Sequence, residues 1–439
     1  MKRNITKKLI GWKNQPQRKP LLMQGARQVG KTYCLESFGS EHFACCLSFD
    51  FMEKPDISKL FEQDLDPVRI IRELGLYVDQ DIDLSDTLII FDEIQECPKA
   101  LTSLKYFAQK MPHAFISASC SLLGLGLSDA SFPVGKVDRF KLYPMNFDEF
   151  LVALGQDRLS ALLKKTTPAN PFSELIHQKI WTFFKYYMIT GGLPEAVNTF
   201  RDKIETLSDA FRCVRGVHKS LISDYMDDIA KHCGKLKAVR IQAVFNNIPI
   251  QLAKENKSSN KFVFKDVLPY GSRYSVLEGP IEWLVKAGLI YKVSICNKPE
   301  LPLQAYCNER IFKLYLFDAG IFGAMLELDP KEIYAYDYGS YKGYFAENLV
   351  LMELISRWNK QVYSWNCNTA EIEFLMDYSG TVTPVEVKAG INTKAKSLRA
   401  FLERYEDKEA LLLTGRAMLP NRNNTVQLPL YMASKYPFL

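Results

Sequence analysis

Along the first third of the chain, short apolar runs alternate with amphipathic stretches, the pattern of strands and helices layered in an α/β sheet. KPLLMQ, FACCLSFD, TLIIFDE, HAFISAS and RFKLYP predict five strands. PVRIIRELGLYV and PKALTSLKYFAQKM carry apolar residues at helical spacing, the second opened by Pro98 in a first-turn position. From about residue 166 to 234 the pattern turns helical in ELIHQKIWTFFKYYMIT and IETLSDAFRCVRGVHKSLISDYMDDIAKH, with Gly191-Gly192-Leu193-Pro194 as a break. The aromatic residues Trp181, Phe183, Phe184, Tyr186 and Tyr187 read as core of a helical lid. The last third predicts a helix, YKGYFAENLVLMELISRW, then strands QVYSWN, EIEFLMDY and TVTPVEVKAG. The helix SLRAFLERYED and the strand EALLLTG complete an α/β layer.

Length and composition narrow the class. At roughly 150 residues per domain, 439 residues suggest about three domains. Hydrophobic residues at 47% and charged residues at 24% exclude a disordered or fibrous chain. No stretch approaches the roughly 20 apolar residues of a membrane helix, and the basic start MKRNITKKLIGWKNQPQRKP has no apolar segment of signal-peptide type. Lys and Arg exceed Asp and Glu by 56 to 50. That surplus permits nucleic-acid binding without arguing for it, because the inference rests on clustered charge. Ten cysteines without a C-x-x-C predict reduced, mostly packed thiols in a cytoplasmic protein. The five histidines show no H-E-x-x-H spacing, which speaks against zinc.

The most informative segment follows the first strand. GARQVGKT matches the phosphate-loop pattern G-x-x-x-x-G-K-[ST] in full, over Gly25, Ala26, Arg27, Gln28, Val29, Gly30, Lys31 and Thr32. The two glycines allow a tight turn whose amide N–H groups converge on a phosphate. Lys31 supplies a point charge for the β- and γ-phosphates, and Thr32 a hydroxyl for Mg²⁺. The helix that follows adds its N-terminal dipole.

LIIFDEIQ is an apolar strand ending in two acids, some sixty residues later. In this setting Asp92 is expected to hold Mg²⁺ with Thr32, and Glu93 to orient and deprotonate the attacking water. The next strand ends in Ser117, Ser119 and Ser121, of which Ser119 is the expected γ-phosphate sensor. ATP and Mg²⁺ are thus the predicted ligands.

GARQVGKT, LIIFDEIQ, KLYPMNFDEFL, YYMITGGLPEAV, YFAENLVLMELI and EIEFLMDYSGTVTPVEVKAG together resemble one family, in that family's order and over nearly the whole chain. It comprises the prokaryotic AAA-type P-loop ATP-binding proteins with a C-terminal domain of unknown function. The resemblance implies an AAA-type ATP hydrolase with a Walker A loop, and sites formed between subunits of a homo-oligomer. Where such proteins tend to carry G-R, this chain has Gly135-Lys136, and Arg139 nearby is the candidate arginine finger.

Two further segments carry candidate chemistry. IQAVFNNIPIQLA, FKDVLPYG and SRYSVLEGPIEWLVKAGLIYKV predict helix, short helix, helix and strand, similar to a winged helix-turn-helix. Its candidate recognition helix carries Glu278 and Glu282 with Arg273 near its start, which favours a protein partner over DNA. Near the end, alternation puts Glu386 and Lys388 on one face of a strand, with Glu373 on the strand before and Glu347 on the preceding helix. An acid on one strand and E-x-K on its neighbour is the layout of PD-(D/E)XK nucleases, in which the acids hold Mg²⁺. Here Glu373 stands where that pattern places Asp. The same E-x-K also reads as a cross-strand ion pair.

The expected architecture is therefore α/β. It has a P-loop AAA-type domain over 1–165, a helical lid over 166–235, a winged-helix-like region over 236–300 and a restriction-endonuclease-like domain over 301–439. Three functions stay open: an ATPase driving its C-terminal module, an ATP-gated nuclease acting on DNA or RNA, and an ATP-dependent switch acting through an unidentified protein.

Overall fold

The computed structural model describes residues 1–121, 132–253, 261–336, 341–358, 360–367, 370–390, 395–405, 409–419 and 424–437. The chain divides into two compact units, residues 1–143 with 286–288, and residues 144–285 with 289–439. Among the described residues no helix is long and apolar enough to cross a membrane.

The first unit is built on a five-stranded parallel sheet. Its strands are β1 (Leu21–Gly25), β2 (Cys45–Asp50), β3 (Thr87–Asp92), β4 (Phe115–Ser121) and β5 (Asp138–Leu142), in the order β2-β3-β4-β1-β5. All five predicted strands are present, and both predicted helices occur, as Pro67–Tyr77 and Pro98–Lys110. β3 and β4 are buried along their whole length, as expected of central parallel strands covered on both faces. Phe91 on β3 meets Phe49, Phe51, Phe61 and Phe107 at ring-centroid distances of 6.4, 6.0, 5.7 and 6.1 Å. That aromatic layer holds one face of the sheet to its helices.

The second unit combines helices with a seven-stranded mixed sheet. Its strands are β6 (Ile290–Cys296), β7 (Cys307–Leu316), β8 (Tyr363–Cys367), β9 (Ala370–Tyr378), β10 (Thr381–Lys388), β11 (Ala410–Thr414) and β12 (Thr425–Pro429), in the order β12-β11-β10-β9-β8-β6-β7. The expected boundary at residue 300 falls inside this sheet, since β6 pairs with β8. β7 and β12 were not foreseen in the sequence pattern. The short helix expected over FKDVLPYG is a run of turns: Pro269 has no N–H to give a helix, and Gly271 sits at φ 79°. The end of the helix expected through Asp407 lies outside the described residues.

A buried polar knot ties four segments of this unit together. Asn146 caps the helix Phe147–Ala153 reciprocally with Glu149, through hydrogen bonds of 3.0 and 3.1 Å. The Met145 N–H donates to the Gly192 carbonyl at 2.7 Å. A Cβ on Gly192 would lie 2.1 Å from the Met145 carbonyl oxygen, so only glycine allows this approach. The Asp318 carboxylate accepts from the Gly192 N–H at 2.7 Å and, as an N-cap, from the Ile321 N–H at 3.0 Å. Glu353, on the helix Tyr341–Trp358, accepts from the Phe147 N–H at 2.8 Å and the Tyr187 hydroxyl at 3.0 Å. Both acids are fully buried. Burial pushes Asp318 up to about 6 and Glu353 up to about 7.

This sets a pH dependence. The folded state holds the Glu353 proton more tightly than the unfolded chain, whose carboxyl titrates near 4.5. Its contribution to stability therefore falls as pH rises from about 4.5 to about 7, by at most about 1.4 kcal/mol per pH unit. Glu353→Gln keeps an acceptor for Phe147 and Tyr187 and carries no proton to lose. Denaturant midpoints measured across that window should decline less steeply in the variant than in the wild type; equal slopes would refute the assignment.

Candidate functional site

The loop Gly25–Thr32 joins β1 to the helix Lys31–His42. Two of its residues take left-handed backbone, Gln28 at φ 63° and Gly30 at φ 88°. A Cβ on Gly25 would lie 2.5 Å from the Leu142 carbonyl oxygen, so glycine is required where the loop leaves the strand. Lys31 is buried, and its Nζ lies 3.1 Å from the Ala26 carbonyl and 3.5 Å from that of Gly25. Burial draws its ammonium below the usual lysine range, against the opposing pull of Glu93 and Asp92.

Three expected site residues meet directly. The Thr32 hydroxyl donates to one oxygen of Asp92 at 2.7 Å, and the Ser119 hydroxyl donates to the other. The Glu93 N–H lies 3.5 Å from the Ser119 oxygen. Strand order explains the meeting: β4 lies between β1 and β3, so Ser119 stands beside both the loop strand and the acid strand. Glu93 follows the end of β3 at φ 46°, and its carboxylate accepts from the Gln95 side-chain amide.

Arg3 belongs to this site and sequence reasoning missed it. It is buried; its guanidinium donates to the Val29 carbonyl inside the loop at 3.0 Å and to the Tyr143 carbonyl at 2.6 Å. In the sequence it is one of several basic residues in a polar start, with no periodic signal to set it apart. Arg139 is placed elsewhere. It pairs in register with Leu22, while the loop end Gly25 pairs with Leu142, so it lies toward the opposite end of the edge strand β5. There it is exposed, with its guanidinium over the Phe132 ring at 4.2 Å.

In the second unit the three expected acids and the expected lysine also come together. Lys388 Nζ lies 2.6 Å from Glu386 and 3.8 Å from Glu373, and the Val387 N–H donates to Glu373 at 3.2 Å. Glu347 accepts from the Tyr315 hydroxyl at 3.1 Å and lies 3.6 Å from Lys313 Nζ. Lys313 also pairs with Glu371. Burial and neighbouring Glu347 push the Glu373 carboxyl up to about 8, against the pull of Lys388. Lys313, Tyr315 and Glu371 were missed. The signal was present, since Lys313 and Tyr315 alternate within the apolar run IFKLYLF, as Glu371 and Glu373 do in EIEFL. Among the described residues no group of three or more His, Cys, Asp and Glu is spaced to hold a metal ion.

Sheet order, loop and acid strand together define an AAA-type P-loop nucleotide-binding unit. Residues 17–151 match the family model described as an AAA domain. Residues 182–332 and 342–432 match two models described as domains of unknown function, DUF8612 and DUF4143. No curated protein matches the chain. Among solved structures, the Walker-type ATPase paby2304 of Pyrococcus abyssi aligns at 15% identity and a TM-score of 0.47, covering 73% of this chain and 94% of that one. AMPPCP-bound DnaA from Aquifex aeolicus aligns at 14% and 0.29, covering 64% and 86%. Drosophila ORC bound to DNA aligns at 14% and 0.27, covering 73% and 93%. Likenesses this distant are resemblances only.

The charged cluster of the second unit is tested through its centre. Lys313 is the cation shared by Glu347 and Glu371, and all three side chains are largely buried. Lys313→Met should lower unfolding free energy by about 3 kcal/mol, the cost of leaving buried carboxylates without their counter-charge. A denaturant midpoint within error of the wild type would show that the network does not hold the sheet.

Proposed function

We propose that this protein binds ATP with Mg²⁺, hydrolyses it, and uses the nucleotide state to drive its C-terminal module. One observation carries the reading: the hydrogen-bonded chain Thr32–Asp92–Ser119, beside a buried Lys31 in a complete phosphate loop.

The residues suit both ligands. Lys31 is a buried ammonium whose neighbours are carbonyl oxygens of its own loop, a setting that favours an anionic phosphate as the further partner. Thr32 and Asp92 offer hard oxygen donors side by side, the set that Mg²⁺ takes together with phosphate and water. When bound, the ion would neutralise charge on the phosphate oxygens. The chain's own residues then divide the work. Lys31 and the loop amides hold the phosphates, while Ser119 orders Asp92. Glu93 accepts a proton from the water as its oxygen bonds to the γ-phosphorus and the bond to ADP breaks. Arg3, bound to the Val29 carbonyl, keeps the loop in shape. Arg139, exposed on an edge strand, is the proposed arginine finger for a neighbouring copy's nucleotide.

Three proteins test this. Wild type should turn over ATP. Lys31→Ala should lose nucleotide binding, and Glu93→Gln should bind ATP normally while turnover falls by roughly 10²–10⁴-fold. Absence of turnover in the wild type, with binding intact, would leave an ATP-dependent switch acting through a protein partner.

The second reading is metal-dependent cleavage of nucleic acid by a restriction-endonuclease-like C-terminal module. What favours it is that Glu373 and the Glu386–Lys388 pair lie on adjacent strands β9 and β10, with Glu347 beside them in the same network. Wild type with Mg²⁺ or Mn²⁺ should then cut DNA or RNA, and Glu386→Ala and Lys388→Ala should not. No cleavage by the wild type ends this reading and leaves the cluster as an ion-pair network that holds the sheet.

A further inference from the structure

Cys296 closes β6 and Cys307 opens β7, and the two are direct partners across the antiparallel ladder. Residues paired this way have Cα atoms about 4.5–5.5 Å apart, inside the range of about 4.4–6.8 Å that a disulfide spans. Their sulfurs lie 3.0 Å apart, and both point at the Leu303 carbonyl oxygen, at 3.5 and 3.3 Å. The surroundings differ on the two sides. Cys296 is fully buried against the apolar cluster that holds Trp365 and Ile372, while Cys307 is partly open to solvent. The two thiols share one hydrogen bond, which raises the pKa of Cys296 together with burial and lowers that of the more open Cys307. One thiol is thus reachable and favoured as thiolate, and its partner is shielded and in contact with it.

We propose that Cys296 and Cys307 form a reversible disulfide when the protein meets a peroxide. The steps balance. The Cys307 thiolate attacks one oxygen of hydrogen peroxide, the O–O bond breaks, and a sulfenic acid and one water result, the thiol proton leaving with that water. The Cys296 sulfur then attacks the sulfenic sulfur, the S–O bond breaks, the S–S bond forms, and a second water departs with the Cys296 proton. Two thiols are oxidised and one peroxide is reduced to two waters; a dithiol reductant reverses the change.

The bond would fall where the ladder is irregular. Pairing jumps from Ser294–Phe312 to Cys296–Cys307, so the strands between are not held by regular hydrogen bonds. A covalent link would fix the loop end of the hairpin, on the strand that also carries Lys313 and Tyr315.

The test is made on the full-length protein. It is exposed to hydrogen peroxide, unfolded, alkylated, and cut by a protease that cleaves after glutamate, with Glu300 lying between the two cysteines. Mass spectrometry should find the Cys296 and Cys307 peptides joined, two hydrogens lighter than their sum, and separated by dithiothreitol. Cys296→Ser and Cys307→Ser should each abolish the joined species, and Cys213→Ser should not. Wild-type peptides alkylated separately, or Cys307 advanced to sulfinic acid without a link, would overturn the proposal whatever the variants do.

Discussion

A carboxylate taken out of water must find donors or a cation, and this requirement organises the second unit. Asp318 and Glu353 are fully buried, and each is met by backbone N–H groups from distant parts of the chain. The Gly191-Gly192 turn, the capped start of the helix Phe147–Ala153, the Asp318 cap and the helix Tyr341–Trp358 are therefore held in one arrangement. Losing any donor strands a buried acid, at a cost of several kcal/mol. The Lys313 and Lys388 network obeys the same rule with cations in place of amides.

The first unit solves a different problem, which is to keep a loop of turning backbone in shape around buried charge. Gly25 and Gly30 supply the conformations. Arg3 binds a carbonyl inside the loop and Asp92 gathers the hydroxyls of Thr32 and Ser119. Polar side chains that are partnered before a ligand arrives need little reorganisation when it does.

Much of this was legible in the sequence because it is local. The phosphate loop, the five strands of the first sheet and the acid pair at the end of β3 each declare themselves within about ten residues. The E-x-K strand and its neighbour were legible too, since alternation fixes which side chains share a face. What escaped was non-local. β12 is recognisable only by the strand it pairs with, and Arg3 matters only because the loop folds against it. FKDVLPYG departs from the helix its pattern predicts for a local reason, a proline and a positive-φ glycine inside three residues.

The glycine pair at 191 and 192 has a wider consequence. A Cβ at Gly191 would lie 2.2 Å from the Asp318 carboxylate, and one at Gly192 would strike the Met145 backbone. Both positions admit only glycine, Gly191 for its φ of 71° as well as for space, and neither presents a reactive group. A chain that shares GGLP with this one thus advertises the same internal joint, and says nothing of whether the two act on the same client.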